Sequence, residues 1–451
     1  MGRGYMVEEA VERYLSSLCS ASPLTGLLLG QSSAQRDFVV MATRTPQREA
    51  CPLTPSIRDT LDMEWINEHA RQVSRMLPGG LSVLGVFYIS DAEAKDTLIT
   101  LRQLVFAVQK SISRDLLWLS GDDDISERVT LHVNSTTRKT FCRTFDVRDP
   151  KSTAKPADWR YQSGVCGSWP MVWSCVEVEI PVSLPPRGAR PGDLETSLQE
   201  GLRLWAQQIE RGTFLLDGRK ISEDTELTGP TKRNLKQSLQ AQILTTPVRT
   251  HTHTHTHTHA HTQKSNAFGV VQVCPGEQVS QVGASGGRVV LRGAVHTRAY
   301  LHGNKPTARL AEKALKRDLL STVALRLNMV LEELMETQER DRLSLPTRVL
   351  CPLRGLGVCV CDYRFSDEGP PEVLDRLKEI LDLEVRQEDL DHTQEGEAVT
   401  SHLFHSTSLT CLIRPELPVS PVSTCVCLLG AAMGTVMALL AAAAALLYLD
   451  D

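Results

Sequence analysis

The sequence lacks the cysteine and histidine spacing that marks zinc-binding and redox motifs. It contains twelve cysteines, but none of them forms a C-x-x-C pair, and histidine and cysteine do not cluster at zinc-ligand spacing. This pattern excludes a zinc ribbon and a thioredoxin-like dithiol. It indicates reduced thiols in a reducing compartment. We therefore expect neither a metal nor another cofactor.

A surplus of positive charge is also missing. Lysine and arginine total 49 against 54 acidic residues, and the formal net charge is −5. Domains that bind nucleic acid usually carry a strong basic patch, because they neutralise backbone phosphates. The composition therefore gives no sign of a nucleic-acid partner, and we expect none.

The first residues lack the apolar run of a secretory signal peptide, because acidic residues appear early in MGRGYMVEEAVERYL. A signal for N-myristoylation is also missing, since Met6 stands where serine or threonine is required. These absences predict that the bulk of the chain, residues 1–424, stays on the cytosolic side of any membrane that the chain enters.

One long apolar run is present, from Cys425 to Leu449, and it contains no charged residue. As a helix it would extend about 37 Å at about 1.5 Å per residue. A bilayer core is roughly 30 Å thick, so the run predicts a single-pass tail anchor in the lipid bilayer, with a buried core helix as the alternative. Gly430, Gly434 and Ala438 form a small-residue stripe that would pack a partner helix. A chance arrangement in an alanine-rich segment is the other interpretation.

Two cysteines, Cys425 and Cys427, open the predicted anchor. Cysteines beside a membrane segment are substrates for reversible palmitoylation. The sequence leaves open whether either residue is modified.

Periodicity predicts a mixture of helices and strands, and hence the α+β (mixed α/β) class. Helices are predicted over 5–19, 56–77, 91–110, 193–210, 307–339 and 370–383. Strands are predicted over 26–29, 38–42, 81–89, 128–133, 140–147, 172–182, 288–301, 348–353 and 356–363.

Composition divides the chain into five segments. We predict an N-terminal domain over 1–215, a linker over 216–285, a smaller α+β unit over 286–383, a flexible tether over 384–424 and the transmembrane helix over 425–449. The linker contains alternating histidine and threonine over 251–262. Such a tract can bind metal, but a CA dinucleotide repeat encodes the same pattern, so we predict no function for it.

Two apolar strands in the N-terminal segment carry a resemblance to a known domain. GLLLG at 26–30, then a helix, then LGVF at 84–87 resembles the MPN domain. Catalytic MPN domains place a glutamate before the first strand and a His-x-His after the second, and these residues bind zinc. Here Pro23, Tyr88 and Ser90 occupy those positions. The resemblance therefore implies a non-catalytic MPN-like domain that docks a partner, commonly as a heterodimer. Two ordinary buried strands are the alternative.

Longer blocks resemble the odr-four family over nearly the whole chain. They include GLLLGQSSAQRDFV, HARQVSRMLPGGLSVLGVF, DPKSTAKPADWRYQSG and LRGAVHTRAYLHGNKP. The resemblance implies a protein of the endoplasmic-reticulum membrane that helps membrane receptors leave that compartment. It also implies a complex with the cysteine protease that removes the ubiquitin-fold modifier, which this protein would recruit and position.

The polar block over 149–164 holds Trp159, Arg160 and Tyr161, with Lys151 and Lys155 before them. Exposed aromatic and arginine side chains are typical of interface hot spots, so we predict that these three residues bind the partner. An ordered loop that packs its tryptophan inward is the alternative.

Cys166 lies in a glycine-rich stretch that resembles the neighbourhood of a papain-type nucleophile, with His296 downstream. A catalytic cysteine needs a nearby base, and the sequence indicates none, so a cysteine hydrolase is a disfavoured alternative. The prediction is a tail-anchored adaptor without catalytic activity. Its other rival is a receptor chaperone that binds client helices directly through the transmembrane helix.

Overall fold

The computed structural model describes residues 2–19, 22–47, 61–114, 125–184, 191–227, 238–245, 287–336 and 346–395. Its alternation of helices and strands confirms the mixed α+β class. Within these ranges, no helix combines the length and apolar character needed to span a bilayer. The predicted anchor, the histidine–threonine tract and the tether beyond residue 395 lie outside the described residues.

An eight-stranded sheet forms the N-terminal part of the fold. Its strands are β1 (Gly4–Glu8), β2 (Leu24–Ser32), β3 (Arg36–Arg44), β4 (Ser82–Ser90), β5 (Glu127–Asn134), β6 (Thr140–Asp146), β7 (Lys155–Pro156) and β8 (Asp158–Gln162). Their order across the sheet is β7-β6-β5-β4-β2-β3-β1-β8. Because β7 and β8 are consecutive in the chain but pair with opposite edge strands, the segment 155–162 closes the sheet on itself.

Helices cover both faces of this sheet. They are α1 (Glu9–Ser17), α2 (Met63–Arg75) and α3 (Leu98–Arg114). Buried residues of α1 share a core cluster with β1 and with one face of β4. Buried residues of α2 and α3 share a second cluster with the opposite face. Alternate residues of β4 therefore point into different cores, which explains why the strand is apolar almost throughout.

A four-stranded sheet follows, with the order β10-β11-β9-β12. It contains β9 (Met171–Leu184), β10 (Thr213–Leu216), β11 (Ser238–Leu244) and β12 (Gly287–Tyr300), and it packs on α4 (Pro191–Arg211) and α5 (Ala308–Glu336). Val176, Val178 and Ile180 of β9 alternate toward these helices, where they join Leu202 and Trp205 of α4 in one core cluster. The period-2 pattern predicted for β9 is thus the pattern of its buried face.

The last described elements are β13 (Thr347–Pro352), β14 (Cys359–Arg364), α6 (Pro370–Leu381) and a 3₁₀ turn at Gln387–Asp389. The strands β13 and β14 form a separate two-stranded sheet. Their apolar residues belong to the same core cluster as those of α2 and α3. In addition, the Cys361 backbone N–H donates to the Met76 carbonyl at 2.8 Å. The two predicted segments 1–215 and 286–383 therefore share a core, while the predicted boundaries themselves stay predictions.

Several predicted elements differ from those observed. Residues 5–8 belong to β1 rather than to a helix, because Tyr5 and Val7 pair with β3 and β8 and are buried. The helix α3 begins at Leu98 rather than at residue 91. Strand β11 lies where a linker was predicted, and its pairing with β9 joins residues that are far apart in sequence. Residues 384–395, at the start of the predicted flexible tether, include the 3₁₀ turn Gln387–Asp389 and the buried Glu395, which is 2% exposed.

Candidate functional site

The three positions predicted to have lost metal ligands meet at one end of the eight-stranded sheet. Pro23 directly precedes β2, and Ser90 ends β4. In the antiparallel register, Leu24 lies opposite Ile89 and Thr25 lies opposite Tyr88. Continuing this register by one residue places Pro23 opposite Ser90. The three positions are therefore neighbours in the fold.

Ser90 has a buried partner that the sequence did not reveal. Its Oγ lies 3.3 Å from Nε2 of His132 on the neighbouring strand β5. Ser90 is 3% exposed and His132 is 1% exposed, so both side chains are shielded from solvent. The parallel register pairs His132 with Tyr88. No spacing in the sequence encodes this register, which is why reasoning from the sequence missed the histidine.

Aromatic rings surround His132. The ring of Tyr88 lies 6.4 Å from it, and the ring of Phe141 stacks on it at 6.0 Å. Phe141, on β6, is 40% exposed, which is unusual for so large an apolar side chain. We call Tyr88, His132 and Phe141 the aromatic row, since it crosses the strands β4, β5 and β6. The rings of Tyr88 and Phe141 thus lie beside the buried His132 ring at this end of the sheet.

The three positions Pro23, Tyr88 and Ser90 do not supply the ligands of a zinc ion. Structural and catalytic zinc sites use cysteine, histidine and carboxylate ligands, whereas proline has no donor atom and Tyr88 and Ser90 offer only hydroxyls. Across the described ranges, no three histidine, cysteine or acidic side chains form a group that could hold a metal ion. We therefore derive no step of water activation at this site.

Replacing His132 with glutamine should reduce the loss of stability in mild acid. Burial lowers the pKa of His132 below its ordinary value of 6.5. Between the folded-state pKa and 6.5, the unfolded chain binds more protons than the folded chain, so stability falls as the pH falls through this window. One histidine contributes at most about 1.4 kcal/mol per pH unit. Urea denaturation at about pH 7 and about pH 5.5 measures this slope.

The matched control for this test is His392→Gln, because His392 is exposed. Its slope should match that of the natural protein, whereas the His132→Gln slope should be smaller. Parallel loss of stability in all three proteins would contradict the role assigned to the buried His132.

The residues predicted to bind a partner lie on β8, the strand that closes the sheet. Trp159 packs on Tyr5 at 6.0 Å between ring centroids and on Tyr161 at 6.1 Å. Both Trp159 and Tyr161 are half-buried, and burial raises the pKa of Tyr161. The Arg160 side chain points the other way and is 71% exposed, with an ion pair to Asp158 at 2.7 Å. Arg160 is thus the most accessible of the three.

The turn after β8 is held by a buried carboxylate. Glu8 is 5% exposed, and it accepts hydrogen bonds from the backbone N–H groups of Gly164 at 2.8 Å and Val165 at 2.7 Å. Ser163 also donates a hydrogen bond to Glu9. Because the turn is fixed at three successive residues, the adjacent Arg160 is presented from a well-supported strand.

The structure places Cys166 and His296 in surroundings that do not suit nucleophilic catalysis. Cys166 is 1% exposed within the core cluster that also contains Trp169. His296 lies on β12, where the register pairs it with Cys175, and its backbone N–H donates to Glu395 at 3.4 Å. A substrate cannot reach a thiol buried to this degree without local opening of the fold.

The remaining predicted site residues lie outside the described residues. They are Gly430, Gly434 and Ala438 of the helix-packing stripe and the two cysteines Cys425 and Cys427. Their predicted roles stay predictions.

The fold and the site define a mixed α+β protein that forms no metal-ligand cluster in its described ranges. A family model described as ODR4-like (Odorant response abnormal 4-like) matches residues 26–392. The chain belongs to this family, which confirms the resemblance found in the sequence.

Individual relatives support the same assignment. The chain is 40% identical over 471 residues to the Protein odr-4 homolog of Homo sapiens, with 100% of each chain covered. It is 42% identical over 431 residues to the Mus musculus homolog, covering 93% of this chain and 92% of the other. It is 26% identical over 194 residues to the Odorant response abnormal protein 4 of Caenorhabditis elegans, covering 42% and 39%.

Among solved structures, the chain is similar to the crystal structure of UfSP from C. elegans. The identity is 10% and the TM-score is 0.43, with 85% of this chain and 57% of that chain covered. A TM-score this low supports no conclusion about fold or function.

Proposed function

We propose that this protein is a non-catalytic, membrane-anchored adaptor with an MPN-like domain. It recruits the cysteine protease of the ubiquitin-fold modifier to the endoplasmic-reticulum membrane and supports the maturation of membrane receptors. The observation that carries the proposal is the Ser90–His132 pair. By the sequence resemblance, Ser90 stands where catalytic MPN domains have a zinc ligand, and here it pairs with His132 and both side chains are buried.

The proposed mechanism is localisation. The predicted anchor over 425–449 would hold the folded part of the chain next to the membrane surface. A soluble enzyme bound to it then gains a high effective concentration toward substrates in the same membrane. This mechanism needs a stable docking surface and no reactive group, which agrees with a buried Cys166.

We assign the docking surface to β8, with Arg160 as its accessible centre. Arginine is enriched at interface hot spots because its planar fork makes several hydrogen bonds at once. The neighbouring Trp159 and Tyr161 are half-buried and pack on Tyr5 and on each other, so they expose less surface to a partner than Arg160 does.

Arg160→Ala should reduce the protease that co-purifies with the full chain by roughly tenfold, the scale of a hot-spot arginine. The matched control is Arg203→Ala on α4. Arg203 is also exposed and also pairs with one acidic neighbour, Glu200, so loss of a surface ion pair alone should leave co-purification within about twofold. Affinity purification of the full chain in mild detergent, with quantitative mass spectrometry, makes the comparison.

The same experiment distinguishes the rival function. If the protein is a receptor chaperone that acts through its transmembrane helix, the purification should recover receptors and no protease. Exchange of residues 425–449 for an unrelated anchor should then abolish the activity. The adaptor should recover the protease in near one-to-one ratio, and it should tolerate the exchanged anchor. Equal recovery from the Arg160 and Arg203 variants would contradict the assignment of β8 as the docking surface.

A further inference from the structure

A cavity of about 820 Å³, partly open to solvent, shares no lining residue with the aromatic row or with β8. Its size falls within the roughly 300–1,000 Å³ that is typical of sites for small molecules. Apolar residues form much of its wall, among them Met171, Leu353 and Val358. The charged or hydrogen-bonding side chains that line it are Ser238, Arg298, Tyr300, Arg354, Cys359 and Asp389.

Arg298 contributes a cation to this wall without a carboxylate partner among the described residues. Its guanidinium contacts Cys359 Sγ, which lies 4.0 Å from Nη1, and a hydrogen bond also joins it to Tyr300. Arg298 is half-buried. Placing an arginine charge in partly apolar surroundings without an anion is unfavourable, so the cavity has an uncompensated positive charge.

The nearest buried carboxylate cannot serve Arg298. Asp318 accepts a hydrogen bond from the Arg298 backbone N–H at 2.8 Å. Its two oxygens, however, already accept hydrogen bonds from both terminal nitrogens of the Arg348 side chain, at 2.7 and 2.8 Å. Asp389, which does line the cavity, forms an ion pair with Arg354. The acids of the surroundings are therefore already paired, and the Arg298 guanidinium stays available.

The groups beside Arg298 do not supply a negative charge. The Tyr300 hydroxyl donates to Cys359 Sγ at 3.1 Å. Burial raises the pKa of Tyr300, and burial also raises the pKa of the Cys359 thiol, which Arg298 and Tyr300 only partly offset. Both groups are therefore neutral near pH 7, and neither supplies the negative charge that would balance Arg298.

We propose that this cavity binds a small carboxylate carried on an apolar body. The planar guanidinium of Arg298 would hold the carboxylate through paired hydrogen bonds, and the apolar wall would cover the rest of the ligand. The site lies outside the surface that we assign to partner docking, so binding there is separate from the adaptor function.

Hexanoate and hexanamide test the proposal directly, because they share length and shape but differ in charge. Titration of the full chain, followed by calorimetry or by ligand-detected NMR, should give saturable binding of hexanoate. Hexanamide should bind at least roughly tenfold more weakly, which is the scale of one hydrogen bond to a charged group. Inorganic phosphate should also bind more weakly than hexanoate, since it lacks an apolar body.

Arg298→Gln should raise the dissociation constant of hexanoate by roughly tenfold or more, whereas Arg203→Gln, on an exposed face of α4, should leave it unchanged. The comparison of hexanoate with hexanamide on the natural protein decides the question even where Arg298→Gln does not fold. Equal binding of the two ligands, or no saturable binding of hexanoate, would overturn the proposal. Phosphate that binds as tightly as hexanoate would overturn the assignment of an apolar body.

Discussion

Asp318→Ala should lower the free energy of unfolding by about 3–5 kcal/mol, the usual result of breaking a buried ion pair from one side. Asp318 is 3% exposed and Arg348 is 4% exposed. The carboxylate accepts hydrogen bonds from both terminal nitrogens of Arg348. It also accepts hydrogen bonds from the backbone N–H groups of Gly79 at 2.9 Å and Arg298 at 2.8 Å. Alanine would leave the Arg348 guanidinium buried and unpaired, and it would release the turn that precedes β4.

Urea denaturation of the full chain measures this effect. Glu332→Ala is the control, because Glu332 lies on the same helix α5 and is exposed, so its substitution should change stability by less than about 0.5 kcal/mol. The double variant Asp318→Leu with Arg348→Met should recover much of the loss, since it removes both charges. A loss below about 1 kcal/mol for Asp318→Ala would show that the pair is not closed to solvent.

Gly85→Ala should destabilise the fold by about 1–3 kcal/mol, the range for overpacking in a close-packed core. Gly85 is the glycine of the LGVF motif, in β4. A Cβ at this position would lie 1.8 Å from the Val129 carbonyl oxygen and 2.7 Å from Val129 Cγ1 on β5. Because the strand backbone itself is the obstacle, β4 and β5 would have to move apart, which would also disturb the Ser90–His132 pair.

Gly4→Ala is a matched control for this prediction. Gly4 also lies in a strand of the eight-stranded sheet, yet no atom lies within 4 Å of a Cβ built there. Its substitution should be neutral or slightly stabilising, because alanine restricts the unfolded chain more than glycine does. Thermal unfolding of the two variants side by side measures the difference. Equal effects of Gly85→Ala and Gly4→Ala would contradict the close approach of β4 and β5.

The sequence predicted those parts of the fold that local pattern determines. The sequence predicts β4, β9, α4 and α6, because each has a hydrophobic pattern of its own. The strand β4 is apolar almost throughout, β9 alternates, and the two helices are amphipathic. The strands β1 and β11 were missed, since each pairs with a strand that is distant in sequence. Such strands are defined by their neighbours rather than by their own composition.

The candidate site divides in the same way. Pro23, Tyr88 and Ser90 were located through a resemblance in two motifs, and the strand register brings them together. His132 could not be predicted, because the β4–β5 register that pairs it with Tyr88 has no local signature. The Asp318–Arg348 pair was missed for a related reason. A charged residue on a long helix usually lies on a solvated surface. Asp318 is instead buried, and it accepts hydrogen bonds from Arg348 and from the backbone N–H groups of Gly79 and Arg298.

The adaptor function is tested most directly by vesicle flotation. The full chain is reconstituted into vesicles of endoplasmic-reticulum lipids, the soluble protease of the ubiquitin-fold modifier is added, and the protease in the floating fraction is measured. We expect the protease to float with vesicles that contain the chain and to stay in the soluble fraction with empty vesicles. A protease that floats equally with both, or with neither, would contradict recruitment by this protein.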